Sequence, residues 1–293
     1  MTVLPNRPEQ YGAEALFDPA DAIGAQGDGD GLPEVPPAVL LGYQKSLTAT
    51  VEERADSTVT LVRSQVCHRL TDEVEYVPVH EAGVGAPVTA MVAENAIAAG
   101  AEAVVMLGGG AALQRVPPDA ALLPTEAIRD EGVSYHYLPD EEPVGATPGL
   151  VDRLEERLSG AGFPTRRGAT WTTSAIYRET VPEIERYRSD GVLSLCMESA
   201  ALWAVCRYRG VATATVHEVG DYLDPEGWEP EAPAERGLRE MLPPSSRRWA
   251  ARSRERENGG RAVPAAAQSS AGCSRRPTAG RVTSRSDASP SMS

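Results

Sequence analysis

Between Val74 and Gly110 the hydrophobic period of the chain changes twice, and this stretch constrains the fold more than any other. Val74 to His80 alternates apolar and polar residues around β-branched positions, as a strand does. The segment GVGAP, residues 83–87, then breaks the pattern, and an alanine-rich helix is predicted from Pro87 to Ala99. Proline suits a first helical turn and Gly100 supplies the stop. Val104 to Leu107 is a short apolar run read as a buried strand that ends in Gly108-Gly109-Gly110. Strand, glycine turn, helix, strand, glycine turn is a βαβ unit, and parallel strands joined this way need a sheet covered by helices.

The rest of the chain extends this order. Val39 to Leu41 reads as a strand followed by GYQKSL opening a helix, and Ser57 to Val62 as a further strand. Leu150 to Leu158 is helical and Val192 to Leu195 a strand. A helix from Met197 to about Tyr208 and a strand from Val211 to Val216 complete the pattern. The expected class is α/β: a three-layer fold with a central mixed, mostly parallel sheet flanked by helices. Residues 38–242 form this domain. Residues 1–37, rich in Gly, Pro and Asp with one short helix in the Pro8–Phe17 region, are expected to be irregular.

Composition separates the end of the chain from the rest. Residues 243–293 hold ten Arg against three acids and almost no Leu, Ile or Val, so they cannot build a core. A disordered basic tail is expected there. The abrupt switch after Leu242 is also what a shifted reading frame would produce, and the source gene tests that. The whole chain carries a net charge of −14 with a single lysine, Lys45. So acidic a body is a poor partner for nucleic acid, which needs cationic contacts along its phosphates. It fits a protein kept in solution by charge in high salt. The composition offers no membrane span and no basic-then-apolar leader, so a cytoplasmic location is expected. Cys67, Cys196, Cys206 and Cys273 lack the paired spacing of a zinc site, and Cys196 and Cys206 read as buried thiols. His68, His80, His136 and His217 are scattered without a metal-binding motif, so no metal is expected.

Several segments that follow strands carry chemistry, and in parallel sheets ligands bind at the carboxyl ends of strands. Backbone N–H groups of the two glycine segments suit an anion, although a glycine after a strand is commonly a plain turn. Glu198 sits in LSLCMESAALWAVC among apolar neighbours. A carboxylate there needs donors, either backbone N–H groups at a helix start or the paired hydroxyls of a sugar. Asp221, in HEVGDYL, is either a solvated loop acid or a general acid for a leaving base. Arg166, Arg167, Arg178, Arg186 and Arg188 cluster before Asp190, mostly as surface charge.

Taken together, these segments resemble the nucleoside phosphorylase family, which includes uridine and purine nucleoside phosphorylases and related nucleosidases. The similarity lies in GVGAPVTAMVAENAIAAGAEAVVMLGGGAALQ, RDEGVSYHYLP, TWTTSAIYRET, GVLSLCMESAALWAVCRYRGV and VGDYL, and covers roughly residues 38–242. The resemblance implies cleavage of a nucleoside by phosphate to a free base and ribose 1-phosphate, with hydrolysis, or binding with little turnover, as alternatives. It implies that Glu198 and Met197 hold the ribose, and that Trp171, Thr172, Ile176, Tyr177 and Arg178 lie near the base. Gly83, Gly85, Gly108, Gly109 and Lys45 would serve phosphate, the co-substrate, with no other cofactor. Asp221 would be the catalytic acid, and its position 23 residues after Glu198 is that of purine-type members. The partners implied are a nucleoside, phosphate and further copies of the chain in a trimer or hexamer. Two family features are missing. Met106-Leu107-Gly108-Gly109 stands where the family has Arg-x-Gly-Thr, and the family's N-terminal Pro-Gly-Asp-Pro loop with its Arg is missing.

Overall fold

Thirteen residues from Ala86 to Ala98 form an alanine-rich helix whose small side chains let a second helix approach closely, and this pairing organises one side of the molecule. The computed structural model describes residues 8–26, 33–55, 57–61, 65–230 and 237–242. The basic tail and the composition break after Leu242 lie outside them. In chain order the helices are α1 (Pro19–Gln26), α2 (Lys45–Glu52), α3 (Ala86–Ala98), α4 (Pro148–Gly160), α5 (Val181–Ser189), α6 (Ser199–Arg209) and α7 (Leu238–Met241). The strands are β1 (Ala38–Gly42), β2 (Ser57–Thr60), β3 (Val66–Thr71), β4 (Val74–Pro78), β5 (Ala103–Ala112) and β6 (Ala121–Asp130). They continue with β7 (Val144–Gly145), β8 (Thr165–Thr173), β9 (Ser194–Cys196), β10 (Ala212–Asp224) and β11 (Gly227–Glu229).

The expected βαβ unit is present: β4, α3 and β5 follow one another, and β1 lies between the two strands, parallel to both. Strand β10 joins β5 in parallel on the other side, giving a parallel core β4-β1-β5-β10. Helices cover both faces of it. Leu47, Val51, Leu150, Leu154 and Leu158 of α2 and α4 pack with Leu40, Tyr76 and Val105 on one face. Ala90, Ala93 and Ala96 of α3 pack with Leu202, Trp203 and Val205 of α6 against Leu41, Val77 and Val104 on the other. Each fully buried Leu or Val among them contributes ~1.5–3 kcal/mol to folding.

Beyond this core the sheet is mixed, as expected, but it is also partly closed, which the three-layer expectation did not include. β10 also pairs antiparallel with β6, β6 parallel with β8, β8 parallel with β9, and β9 antiparallel with β5. The sheet therefore closes on itself through β5, β10, β6, β8 and β9, while β1, β4, β3 and β2 extend from β5 as an open wing. The physical cause is the length of β5 and β10. β5 was expected to stop at Leu107 and β10 at Val216; instead they continue to Ala112 and Asp224 and remain paired through Tyr222↔Ala112. Past Gly42, where β1 ends, β5 has no β1 partner and takes up β9. Near the start, a 3-10 turn at Pro8–Gln10 and helix α1 occupy part of the segment expected to be irregular.

Candidate active site

β1 ends at Gly42, level with Leu107 of β5, which in turn is level with Val216 of β10. Strand β9 runs antiparallel to β5 and carries the chain back from the far end of β5. That return brings Met197 and Glu198 to the turn before α3. Gly83 and Gly85 have φ of 127° and 93°, left-handed conformations open to glycine at little cost. The turn points the Gly85 N–H at Glu198 Oε1, 2.9 Å away, while the Met197 N–H donates to Oε2 at 2.9 Å.

Glu198 is 6% exposed. Burial pushes its carboxyl up to about 7, a nearby Cys196 adds to this, and the two backbone N–H donors pull the other way. A buried carboxylate held on a rigid frame, ionising near neutrality, has acceptor capacity to offer a ligand's hydroxyls. Around it stand Tyr43, whose O–H pairs with Thr89 Oγ1 at 2.7 Å, and the fully buried His217 of β10. Both respond to the Glu198 charge. Sequence reasoning missed Tyr43 and His217. His217 lies one residue past the predicted end of its strand, and only the continued alternation ATATVHEV signals its inward direction.

The expected glycine anion sites are corrected. The Gly85 N–H is spent on Glu198 and the Gly83 N–H on the Val79 carbonyl. Gly108, Gly109 and Gly110 are residues within β5, in register with His217, Glu218 and Val219, and form no turn. A Cβ on Gly109 would lie 2.9 Å from Gln44 Nε2, and one on Gly110 2.9 Å from the His217 ring. Close approach of neighbours accounts for glycine at those two positions. Met106 is 1% exposed, with Ser199 Oγ 4.0 Å from its sulfur. Lys45 is exposed at the start of α2.

The residues expected near a base divide in two. Trp171 is 1% exposed, gives its indole N–H to Asp130 at 3.0 Å and packs on Tyr187. Thr172 is fully buried and accepts the Ala200 N–H at the start of α6, so it fixes α6 to β8. Ile176, Tyr177 and Arg178 form an exposed 3-10 turn. Arg178 borders an open cleft of about 530 Å³ with Asp130, Thr173, Ser174, Thr180 and Glu183. Asp221 of β10 lies level with Ala111 of β5 and has its own partners. Trp228 Nε1 donates to it at 2.7 Å, and its charge reaches Glu179, whose carboxyl burial raises to about 7. Burial also raises Asp221 itself. Among the described residues no cluster of His, Cys, Asp and Glu could hold a metal, and no helix is long and apolar enough to cross a membrane.

The chain is 26% identical to the uridine phosphorylases of Salmonella typhimurium (strain LT2) and of Escherichia coli (strain K12) over 149 residues, 46% of this chain. The matched stretch spans 59% of the length of those relatives. The fold matches a crystal structure of uridine phosphorylase from Vibrio fischeri ES114, complexed with 6-hydroxy-1-naphthoic acid, with a TM-score of 0.57. That match has 21% identity and covers 64% of this chain and 78% of the other. The family model described as the phosphorylase superfamily matches residues 37–242. With most of its length accounted for by that model, the chain belongs to the phosphorylase superfamily.

Proposed function

We propose that the protein is a pentosyltransferase of the nucleoside phosphorylase type, which cleaves the N-glycosidic bond of a nucleoside with phosphate as acceptor. The observation that carries this reading is Glu198: a nearly buried carboxylate, oriented by the Gly85 and Met197 amides at the carboxyl end of a parallel sheet. It accepts hydroxyls of the sugar, and Met197, partly buried with its methyl against Gly85, packs on the sugar's apolar face. As the glycosidic bond breaks, the sugar acquires oxocarbenium character, which a neighbouring carboxylate stabilises. Asp221, raised by burial, supplies a proton or hydrogen bond to the departing base, and Arg178 reaches the base from the cleft.

The purine preference expected from Asp221 is not carried forward, because the relatives are uridine phosphorylases. Uridine is the first substrate to test. A second reading, hydrolysis, is favoured by one observation: Met106 and Gly109 bring no anion ligand, and the Gly83 and Gly85 amides are already paired. The assay that decides measures free base released from uridine, inosine and adenosine with and without phosphate. Release that requires phosphate supports phosphorolysis; equal release without it supports hydrolysis; none from any nucleoside refutes both. The reading includes a homo-oligomer working in the cytoplasm, where Cys67, Cys196 and Cys206, all free and buried, suit a reducing compartment.

A further inference from the structure

We propose that His217 is a second ligand of the sugar: its Nε2 accepts a hydrogen bond from the hydroxyl next to the one that Glu198 holds, so that the two side chains together read a vicinal diol. This rests on the reading of Glu198 given above. The argument begins with a chain of hydrogen bonds. Thr170 Oγ1 donates to the Ser194 carbonyl at 3.1 Å, and Ser194 Oγ donates to Thr170 Oγ1 at 3.0 Å. The only hydroxyl proton of Ser194 is thereby used. Ser194 Oγ is also 3.3 Å from His217 Nδ1 and can meet it only with a lone pair. Nδ1 therefore carries the ring proton, and Nε2 is left as an acceptor.

That acceptor is fully buried and has no partner among the described residues. Burial holds the imidazole neutral, with its pKa lowered to about 4, so Nε2 keeps its lone pair at physiological pH. A buried acceptor without a donor costs ~1–3 kcal/mol, which a bound hydroxyl returns. The ring is fixed against Gly110, where any Cβ would lie 2.9 Å from it and 3.1 Å from the Leu195 carbonyl. Glu198 and His217 lie within each other's electrostatic reach. Two acceptors within electrostatic reach of one another, one anionic and one neutral, match a ligand that presents two O–H donors on neighbouring carbons. They match a phosphate poorly, since it is itself anionic and rich in acceptors.

The test compares uridine, 2′-deoxyuridine and 3′-deoxyuridine as substrates of the full chain and of His217→Phe, which keeps a planar ring without the nitrogen. The wild type should prefer uridine to one of the deoxy compounds by about tenfold, the worth of one such hydrogen bond. H217F should lose that preference by acting more slowly on uridine and on the deoxy compound that keeps the hydroxyl read by His217, and not on the one that lacks it. Equal slowing on all three, or an unchanged preference, overturns the proposal. H217Q, which restores an acceptor, should recover part of the preference and guards against a folding defect in the Phe variant. Nitrogen NMR of the free wild type reads the tautomer without any substrate: an unprotonated Nε2 that shifts when uridine is added is expected, and a protonated Nε2 overturns the argument. A wild type that neither cleaves nor binds any of the three refutes the nucleoside reading and this inference with it. That outcome is distinct from the failure of His217 alone, in which both proteins discriminate equally.

Discussion

Replacing Glu198 by Gln should remove activity while making the protein more stable at neutral and alkaline pH. Burial holds the Glu198 carboxyl at about 7 against an ordinary value of 4.5. Ionising it in the folded chain therefore costs ~3 kcal/mol more than in the unfolded chain, at 1.36 kcal/mol per pH unit. Because the folded value is the higher one, the wild type has this contribution in full below about pH 4.5 and loses it as pH rises through 7. Gln does not ionise. The stability difference should thus move in favour of E198Q by ~3 kcal/mol between about pH 4.5 and 8, all other titrating groups being common to both. A constant offset of about 1 kcal/mol against the variant is added, since its amide presents one donor to the Gly85 and Met197 N–H groups. Urea denaturation across that range measures the difference, and near pH 8 the melting temperature should rise by about 4–8 °C. Base release should fall by at least about tenfold, the loss of charge-assisted hydrogen bonds to the sugar. A difference in stability that does not vary with pH would refute the reasoning, since Glu198 would then not be titrating in a buried setting.

Three further substitutions probe the frame. Gly110→Ala places a methyl 2.9 Å from the His217 ring and 3.1 Å from the Leu195 carbonyl, and should cost ~1–3 kcal/mol in urea unfolding. Arg129 binds Ser134 Oγ and the carbonyls of Leu138, Pro139 and Glu142, so Arg129→Ala should release the loop 131–143 to limited proteolysis well before the whole chain unfolds. Arg69→Met leaves the fully buried Glu75 without its ion partner and should destabilise by ~3 kcal/mol at neutral pH. The loss should shrink as acid protonates Glu75, and urea unfolding at acidic and neutral pH measures it.

The parallel core was legible because the period changes around GVGAP and Gly100 leave few alternatives to a βαβ unit. The closure of the sheet was not. β6 contains Pro124 and ends in Glu126-Ala-Ile-Arg-Asp, which no alternation flags; the structure accommodates it with a register shift between Pro124 and Glu126. β8 begins with Thr165-Arg166-Arg167-Gly168 and is exposed or half-buried until Thr170, so its strand character depends on pairing with β6 and β9. Glu198 was legible as a carboxylate in an apolar run that needed donors. That the donors include the Gly85 amide was not, because a contact across 113 residues leaves no local trace. The same glycine had been assigned to phosphate: the sequence shows that an N–H is available, but not which acceptor takes it. Trp171 and Thr172 were expected beside the base, yet their bonds to Asp130 and Ala200 hold β8 to its neighbours.

Calorimetric titration with uridine near pH 7, in buffers of different ionisation enthalpy, tests the role of Glu198 most directly. A carboxyl that ionises at about 7 is half protonated there. Sugar hydroxyls donating to it favour the charged form, so binding should release about half a proton per site, and this release should vanish in E198Q. Binding without proton release, or release that persists in E198Q, would contradict the account.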